Sequence, residues 1–228
     1  MKKFLPLVAV VALLMTGLSF TGAEFEGKVT YEISVDGGNL PPEAKAMFEG
    51  SELNIYLKGS KSRSDVQMGF QNTSTISDAK TNTSVMLMEM MGSKYKIIPD
   101  PKKEGKPTDI SVKYLDETKE IAGYKCKKAE VTFKDSKGEA QSTTIWYTEE
   151  ISNHFGNDSR SAQFKGIKGM LLQYEMNAER GMRMKMTAKT VSKESVPDSK
   201  FEIPSGYKET TMEDLQKEMM QMMQGGQH

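Results

Sequence analysis

Apolar and polar residues alternate at every second position, and this pattern constrains the fold more than any other feature. In FEGKVTYEISV (25–35), Val29, Tyr31, Ile33 and Val35 occupy odd positions, while the even positions are charged or carry hydroxyls. Successive side chains of a β-strand point to opposite faces. The segment therefore predicts a strand with one buried and one wet face, which is typical of antiparallel sheets.

The same alternation recurs along the chain and predicts about ten strands. Gly59-Ser60 joins two of them as a hairpin. The apolar phase shifts between Cys126 and Ala129, which predicts a β-bulge near Lys127-Lys128. No alternation of strands with helices is present, so we expect a mostly β (α+β) fold. Its sheet would be antiparallel throughout.

Two short helices and one loop complete this prediction. Residues 41–50 begin with two prolines and end with glycine, which favours a short helix. Residues 100–109 are rich in proline and lysine and predict a mobile loop. Residues 211–223 predict a methionine-rich helix capped by Thr211, with Asp214 three residues later, and a flexible tail follows.

The first 23 residues have the pattern of a secretory signal peptide. Lys2 and Lys3 precede an apolar run from Phe4 to Met15, and Ala23 is a suitable cleavage point. The run is too short to span a bilayer readily, although an uncleaved anchor remains the alternative. We expect residues 24–228 to form one periplasmic domain without a transmembrane anchor. It would not be lipidated, because no cysteine stands at the cleavage site and the one cysteine, Cys126, lies far downstream.

Charge and cysteine content exclude several classes of protein. Removing residues 1–23 leaves 29 basic and 31 acidic residues, a balance that gives no overall footprint for nucleic acid. Cys126 is the only cysteine, so an internal disulfide framework is excluded. We expect a buried thiol, and an intermolecular disulfide is the alternative.

No catalytic or metal-binding motif is recognisable. The two histidines, His154 and His228, have no nucleophile at a recognisable spacing, and no nucleophile elbow is present. Cysteine and histidine do not cluster as a zinc site requires. We therefore expect a protein that is not an enzyme and carries no cofactor.

Methionines are concentrated in rows that share strand or helix faces. Unbranched thioether side chains repack easily around an apolar ligand of variable shape. A methionine-rich core without a ligand remains the alternative. The predicted ligand-lining residues are Met86, Met88, Met90, Met170, Leu172, Tyr174, Met182, Met184, Met186, Met219, Met222 and Met223.

The C-terminal methionines have a second interpretation. Thioether sulfur and imidazole are suitable ligands for Cu(I). Met219, Met222, Met223 and His228 would form such a site. We treat copper binding as the alternative, because the methionines lie along a helix face and do not converge on His228.

Four segments together resemble a known family. They are FEGKVTYEI, ETKEIAGYKCKKAEVTF, FKGIKGMLLQYEM and FEIPSGYKE. The chain resembles the periplasmic family named domain of unknown function 4412 and, more distantly, the GLPGLI family, where Lys168 stands in place of that motif's proline. Both look like members of the lipoprotein-carrier (LolA/LolB-like) group of folds. The resemblance implies an incompletely closed barrel whose mouth is covered by one or two helices, with room for acyl chains between them.

These observations lead to one expected function and two alternatives. We expect an exported, non-enzymatic protein that holds a lipid, a lipoprotein acyl chain or another apolar molecule. A periplasmic copper-binding protein is the first alternative. An envelope module that binds another protein is the second.

Overall fold

Twelve β-strands form a single open, curved sheet in the computed structural model, which describes residues 25–36, 48, 50–68, 71–90, 92–98, 107–135, 137–152, 159–177 and 183–225. The predicted mostly β fold is confirmed, although ten strands were too few. The strand order is β12-β6-β5-β4-β3-β2-β1-β11-β10-β9-β8-β7. The strands are β1 (Gly27–Asp36), β2 (Glu52–Lys58), β3 (Lys61–Met68), β4 (Gln71–Asp78), β5 (Thr83–Met90), β6 (Ser93–Ile97), β7 (Thr108–Ile121), β8 (Tyr124–Lys134), β9 (Ala140–Thr148), β10 (Met170–Asn177), β11 (Arg183–Lys193) and β12 (Lys208–Thr210).

One pairing corrects the prediction of an entirely antiparallel sheet. β12 runs parallel to β6, with Lys208 opposite Tyr95, while every other pair of neighbours in the sheet is antiparallel. Between β11, in the middle of the strand order, and β12, beside β6, the chain makes a long connection. Parallel neighbours cannot be joined by a tight turn, so the chain between them must be long. The predicted hairpin at Gly59-Ser60 joins β2 and β3 as expected.

The described residues contain one α-helix, α1 (Met212–Gly225), and 3-10 helices at Ser159–Phe164 and Asp198–Phe201. The Thr211 hydroxyl accepts a hydrogen bond from the Asp214 backbone N–H at 3.1 Å, as the predicted cap requires. The helix extends two residues past the predicted end at 223. The predicted helix over 41–50 and loop over 100–109 lie mostly outside the described residues.

The alternation in β1 defines what we call the core face of the sheet. Val29, Tyr31 and Ile33 are buried there, while Glu32 and Ser34 on the opposite, outer face are exposed. Burial of such apolar side chains contributes about 1.5–3 kcal/mol each. The main core comprises Phe25, Val29, Tyr31, Ile33, Leu53, Ile55, Leu57, Ile121, Cys126, Ala129, Val131, Ile145, Tyr147, Ile151, Phe164, Ile167, Met170, Leu171, Leu172, Tyr174, Met186 and Ala188.

An aromatic junction lies inside this core and joins two of the segments that carry the family resemblance. The Tyr31 hydroxyl donates a hydrogen bond of 2.7 Å to the Leu171 carbonyl oxygen. The Tyr174 ring packs edge-to-face on Tyr31 at 5.9 Å and on Phe164 at 5.5 Å between ring centroids. Tyr31, Phe164 and Tyr174 therefore pack the core and hold these two segments together.

Two glycines of the same segments lie where the backbone leaves no space for a side chain. A Cβ at Gly27 would stand 2.1 Å from the Ser192 carbonyl oxygen, and one at Gly169 would stand 1.9 Å from the Thr148 carbonyl oxygen. Real carbon and oxygen atoms do not approach so closely. Glycine is required at both positions by close backbone packing.

The β7–β8 hairpin contains the phase shift that the sequence predicted. Cys126 and Ala129, three residues apart, are both buried, as a regular strand would not allow. The strand register shifts between Tyr114 and Thr118 of β7, so the extra residues lie in β7 rather than in β8. The predicted irregularity is present, but its location on β8 was wrong.

The outer face of β2–β5 is crossed by residues 194–207, which we call the strap. Its middle forms the 3-10 helix at Asp198–Phe201. Arg63 of β3 donates to the Lys200 carbonyl oxygen at 3.1 Å, and the Lys200 ammonium lies 4.5 Å from the Tyr56 ring centroid. At the end of the strap the Tyr207 hydroxyl donates to Glu89. The chain then passes around β6, so α1 lies on the core face.

A substitution in the β7–β8 turn should stabilise the protein. Ala122 has φ of +50° and Gly123 has φ of +82°, the backbone of a type I′ turn. Alanine is unfavourable there, whereas asparagine tolerates the left-handed region. We expect Ala122→Asn to raise the free energy of unfolding by about 0.5–1 kcal/mol, measured by urea denaturation. Ala140→Asn, at the start of β9, is the control, and a lower midpoint for Ala122→Asn would contradict the turn assignment.

The Cys126 thiol should be unreactive in the folded protein. The residue is fully buried, and burial raises the pKa of its thiol to about 11. The unfolded thiol ionises near pH 8.5, so the folded state should lose stability as the pH rises from about 9 to 11. We expect a thiol reagent at pH 8 to label Cys126 only in denaturant. Rapid labelling without denaturant would contradict the burial of this thiol.

Candidate apolar site beneath the C-terminal helix

The core face of the sheet is apolar on β2, carries hydroxyl residues on β3 and β4, and is apolar again on β5 and β6. Cross-strand pairing places Ile55, Ser64, Thr75, Met86 and Ile97 opposite one another along β2 to β6. Paired residues point to the same face. The predicted row Met86, Met88 and Met90 therefore shares its face with the main core, but hydroxyl residues lie between them.

These hydroxyl residues form a band that we call the hydroxyl stripe: Ser62, Ser64, Thr73, Thr75 and Ser77. Thr75 and Ser77 are only 8% and 7% exposed. Ser77 donates to the Ser84 hydroxyl of β5 at 3.0 Å. A hydroxyl buried from water requires a hydrogen-bond partner, so the stripe is a polar interruption of an otherwise apolar face.

Beyond the stripe lies a second, smaller apolar cluster. It consists of Met86, Tyr95, Ile97 and Leu215, with Met88 half-buried against it. We call it the helix cluster, because Leu215 of α1 covers it. Leu215 is 2% exposed, whereas Met212 and Met220 of the same helix are 41% and 56% exposed.

Polar contacts at the rim hold α1 over this cluster. The Tyr95 hydroxyl donates to Glu218 Oε1 at 3.2 Å, and the Lys208 ammonium lies 3.4 Å from Glu218 Oε2. Lys96 and Glu209 form a further ion pair at 2.6 Å, between β6 and β12. Exposed ion pairs contribute about 0–1 kcal/mol each. The described contacts of α1 therefore amount to one buried leucine and a few weak polar bonds.

β5 is apolar on both faces. Met86 lies under α1, and Leu87 is buried on the outer face beside the strap. The hydrogen bond from Tyr207, followed by that from Lys94, lowers the pKa of Glu89, while burial raises the pKa of Tyr207 to about 12. At neutral pH a neutral phenol thus donates to a carboxylate and fastens the strap to β5.

Two surface cavities flank this end of the sheet. One, of about 490 Å³, lies beside the first turn of α1 and is lined by Ile98, Lys208, Glu209, Thr210, Thr211, Asp214 and Glu218. The other, of about 290 Å³, lies on the outer face and is lined by Asn54, Arg63, Asp65, Val66, Gln67, Asn72, Thr73, Ser74, Leu87, Glu89 and Tyr207. Neither of these two linings contains a methionine.

The structure divides the predicted ligand-lining residues between two places. Met86 and Met88 belong to the helix cluster, and Met90 is buried at the end of the same strand. The main core contains Met170, Leu172, Tyr174 and Met186, with Met184 packed against it. Met182 and the side chains of Met219, Met222 and Met223 lie outside the described residues.

One detail of the predicted rows was wrong. Met170, Leu172 and Tyr174 were expected to share one face of a regular strand. The pairing of β10 with β9 shifts between Leu171 and Gln173, and Leu171 is buried as well as Leu172. A bulge places an extra residue in the strand and breaks the alternation.

Sequence reasoning missed Tyr95 and Ile97, which form the β6 side of the helix cluster. Their alternation in SKYKI was a usable signal, since Tyr95 and Ile97 are buried and the lysines between and before them are not. Thr75 and Ser77 carried no signal, because hydroxyl residues on a strand are usually exposed.

The copper alternative depends on Met219, Met222, Met223 and His228, whose side chains lie outside the described residues, and it stays a prediction. Within the described ranges, no group of three or more His, Cys, Asp or Glu residues could hold a metal ion. Among the same residues, no helix has the length and apolarity needed to cross a membrane.

Shortening Leu215 should release α1 without unfolding the sheet. Leu215→Ala removes the described apolar contact of the helix, and such a truncation costs about 2–5 kcal/mol of local packing. We expect faster amide hydrogen exchange throughout α1, with exchange in β8–β10 unchanged. Gln216→Ala, which changes an exposed neighbour, is the control. Equal protection of α1 in both variants would show that Leu215 does not anchor the helix.

Comparison with known proteins places the chain in a family. A search of curated proteins finds no match. The family model described as "Domain of unknown function (DUF4412)" matches residues 25–207, which include β1 to β11 and the strap but not β12 or α1. Because this match covers most of the chain, the protein belongs to the DUF4412 family.

Proposed function

We propose that this protein is an exported, non-enzymatic binding protein that holds a lipid, an acyl chain or a similar apolar molecule beneath α1. The observation that carries the proposal is the helix cluster. It is a small apolar cluster, separate from the main core and covered by α1, whose contacts among the described side chains are Leu215 and a few polar bonds at the rim.

The residues of the helix cluster suit a ligand whose shape varies. Met86 and Met88 are unbranched and polarisable, so they can repack around an inserted chain at low cost. Displacing Leu215 exposes Met86, Tyr95 and Ile97 together, and these side chains form a continuous apolar surface on β5 and β6. An acyl chain that replaces Leu215 restores the apolar burial that α1 loses on opening.

The hydroxyl stripe favours an amphiphile over a pure hydrocarbon. Thr73 and Thr75 lie directly opposite Met88 and Met86 in neighbouring strands. A ligand on the methionines thus has hydroxyl groups within one strand spacing, about 4.8 Å, on its β4 side. Such an arrangement fits a molecule with an apolar chain and a polar end that forms hydrogen bonds.

Export and the absence of catalysis are parts of the same proposal. Residues 1–23 have the order of a signal peptide, and the resemblance to lipoprotein-carrier folds suits a periplasmic protein. The one thiol in the chain is buried with a pKa of about 11, so it is no nucleophile at neutral pH. The helix cluster itself is made of apolar side chains and one phenol.

Binding of a fluorescent fatty acid tests the proposal, and the chain offers a matched pair of variants. Met88→Gln places an amide of similar length in the helix cluster, and Met220→Gln makes the same change on the exposed side of α1. Burying an amide without a partner costs about 1–3 kcal/mol. We therefore expect at least a roughly fivefold weaker affinity for Met88→Gln, and the affinity of wild type for Met220→Gln.

Native mass spectrometry of protein purified from a membrane-containing lysate supplies a second readout. A bound lipid in wild type, depleted in Met88→Gln, supports the proposal. Bare protein together with no fatty-acid binding would refute it. Binding that is equally strong in both variants would place the apolar site elsewhere.

A further inference from the structure

Three lysines, Lys119, Lys128 and Lys185, form a group beside Trp146, the single tryptophan of the chain, and the first two lie over its ring. Trp146 lies in β9 opposite Lys128 of β8 and Gln173 of β10. Because paired residues share a face, these three side chains lie on the face opposite to Ile145 and Tyr147, which belong to the main core. The remaining lysines come from β7 and β11.

The distances show how closely the charges approach the indole. Lys119 Nζ of β7 lies 4.2 Å from the centroid of the Trp146 ring and donates to Gln173 Oε1 at 2.5 Å. Lys128 Nζ lies 5.7 Å from the same centroid. Lys185, on β11, is near enough for its charge to act on Lys119. All of these side chains are half-buried.

The positive charge of this group is only partly neutralised. Lys128 forms an ion pair with Glu117 at 2.9 Å. Among the described residues, neither Lys119 nor Lys185 has a carboxylate within ion-pair distance, although Glu175 lies opposite Lys185 in the ladder. Burial, followed by the charge of Lys185, lowers the pKa of Lys119. The group thus concentrates cations where water screens them less than on an open surface.

We propose that Lys119, Lys128 and Lys185, with Trp146 and Gln173, form a binding site for a phosphate group, which we call the lysine–tryptophan site. Lysine ammoniums act as compact charged donors and are common phosphate ligands. An anion between Lys119 and Lys185 would relieve their mutual repulsion. The Trp146 indole N–H has no partner among the described residues and is one more donor for an oxyanion.

The lysine–tryptophan site is independent of the helix cluster. It lies on β7 to β11, whereas the helix cluster lies on β5 and β6 near the other end of the strand order. The phosphate can belong to a soluble molecule or to a phospholipid headgroup, since the recognising chemistry is the same. If fatty-acid binding fails, the proposal of a phosphate site still stands. If phosphate binding fails, the proposal of an apolar ligand still stands.

Fluorescence of Trp146 reports binding directly, because no other tryptophan contributes. The probe is inorganic phosphate, titrated into the full chain at constant ionic strength with sodium chloride as the balancing salt. We expect a saturable change in emission with a dissociation constant of roughly 1 mM, because a few half-exposed ammonium groups bind an anion only weakly. Emission that does not saturate up to about 20 mM, or that follows ionic strength alone, overturns the proposal.

Substitutions separate this site from general surface charge. Lys119→Met and Lys185→Met should each weaken phosphate binding about tenfold. Lys189→Met removes the same charge from the same strand, where Lys189 is paired with Glu52 at 3.5 Å, and should titrate like wild type. If Lys119→Met does not fold, as judged by circular dichroism, Lys185→Met alone decides. Equal weakening by Lys189→Met overturns the proposal.

Vesicles identify the source of the phosphate. The same titration uses phosphatidylglycerol vesicles and, separately, glycerol 3-phosphate. A response to the vesicles that Lys185→Met weakens assigns a lipid headgroup. A response to the soluble ester alone assigns a soluble phosphate, and a response to neither overturns the site.

Discussion

A buried hydrogen bond of 2.7 Å, from the Tyr31 hydroxyl to the Leu171 carbonyl oxygen, ties β1 to β10 across the intervening strand β11. In a flat sheet these two strands would lie about 9.5 Å apart. The Tyr31 side chain spans this separation on the core face and so links two strands that do not pair with each other. The bulge beside Leu171 frees its carbonyl from the regular ladder, and the Tyr174 and Phe164 rings shield the bond from water.

The apolar residues of the sheet form two clusters rather than one. The main core joins β7 to β11 with β1 and β2, and Ile151, Phe164 and Ile167 pack into it. β5 and β6 lie beyond the hydroxyl stripe and are covered by α1 instead. The family match ends at Tyr207, so it includes the main core, the β5 and β6 residues of the helix cluster and the strap, whereas α1 lies outside it.

Much of the sheet was predictable from sequence, because strands with one wet face alternate with period two. β1 and the β2–β3 hairpin followed from that rule. The strand count, the parallel β12 and the bulge in β10 did not, since each depends on contacts between distant segments. The hydroxyl stripe was not recognisable for a similar reason: Thr75 and Ser77 look like solvent-facing residues until neighbours bury them. The lysines of the lysine–tryptophan site come from three different strands, and a sequence that is balanced in charge overall gives no sign that they meet.

The three residues of β12 determine whether the backbone of β6 is exposed at the end of the sheet. They hydrogen-bond to β6, which would otherwise present an unpaired sheet edge. β12 thus covers the edge of β6 with a strand of only three residues, which leaves little free edge for another chain to pair with. The strap and β12 are held by different pairs, Tyr207 with Glu89 and Glu209 with Lys96. In the proposed opening of α1 these pairs would keep the backbone of β6 covered while the apolar side chains became accessible.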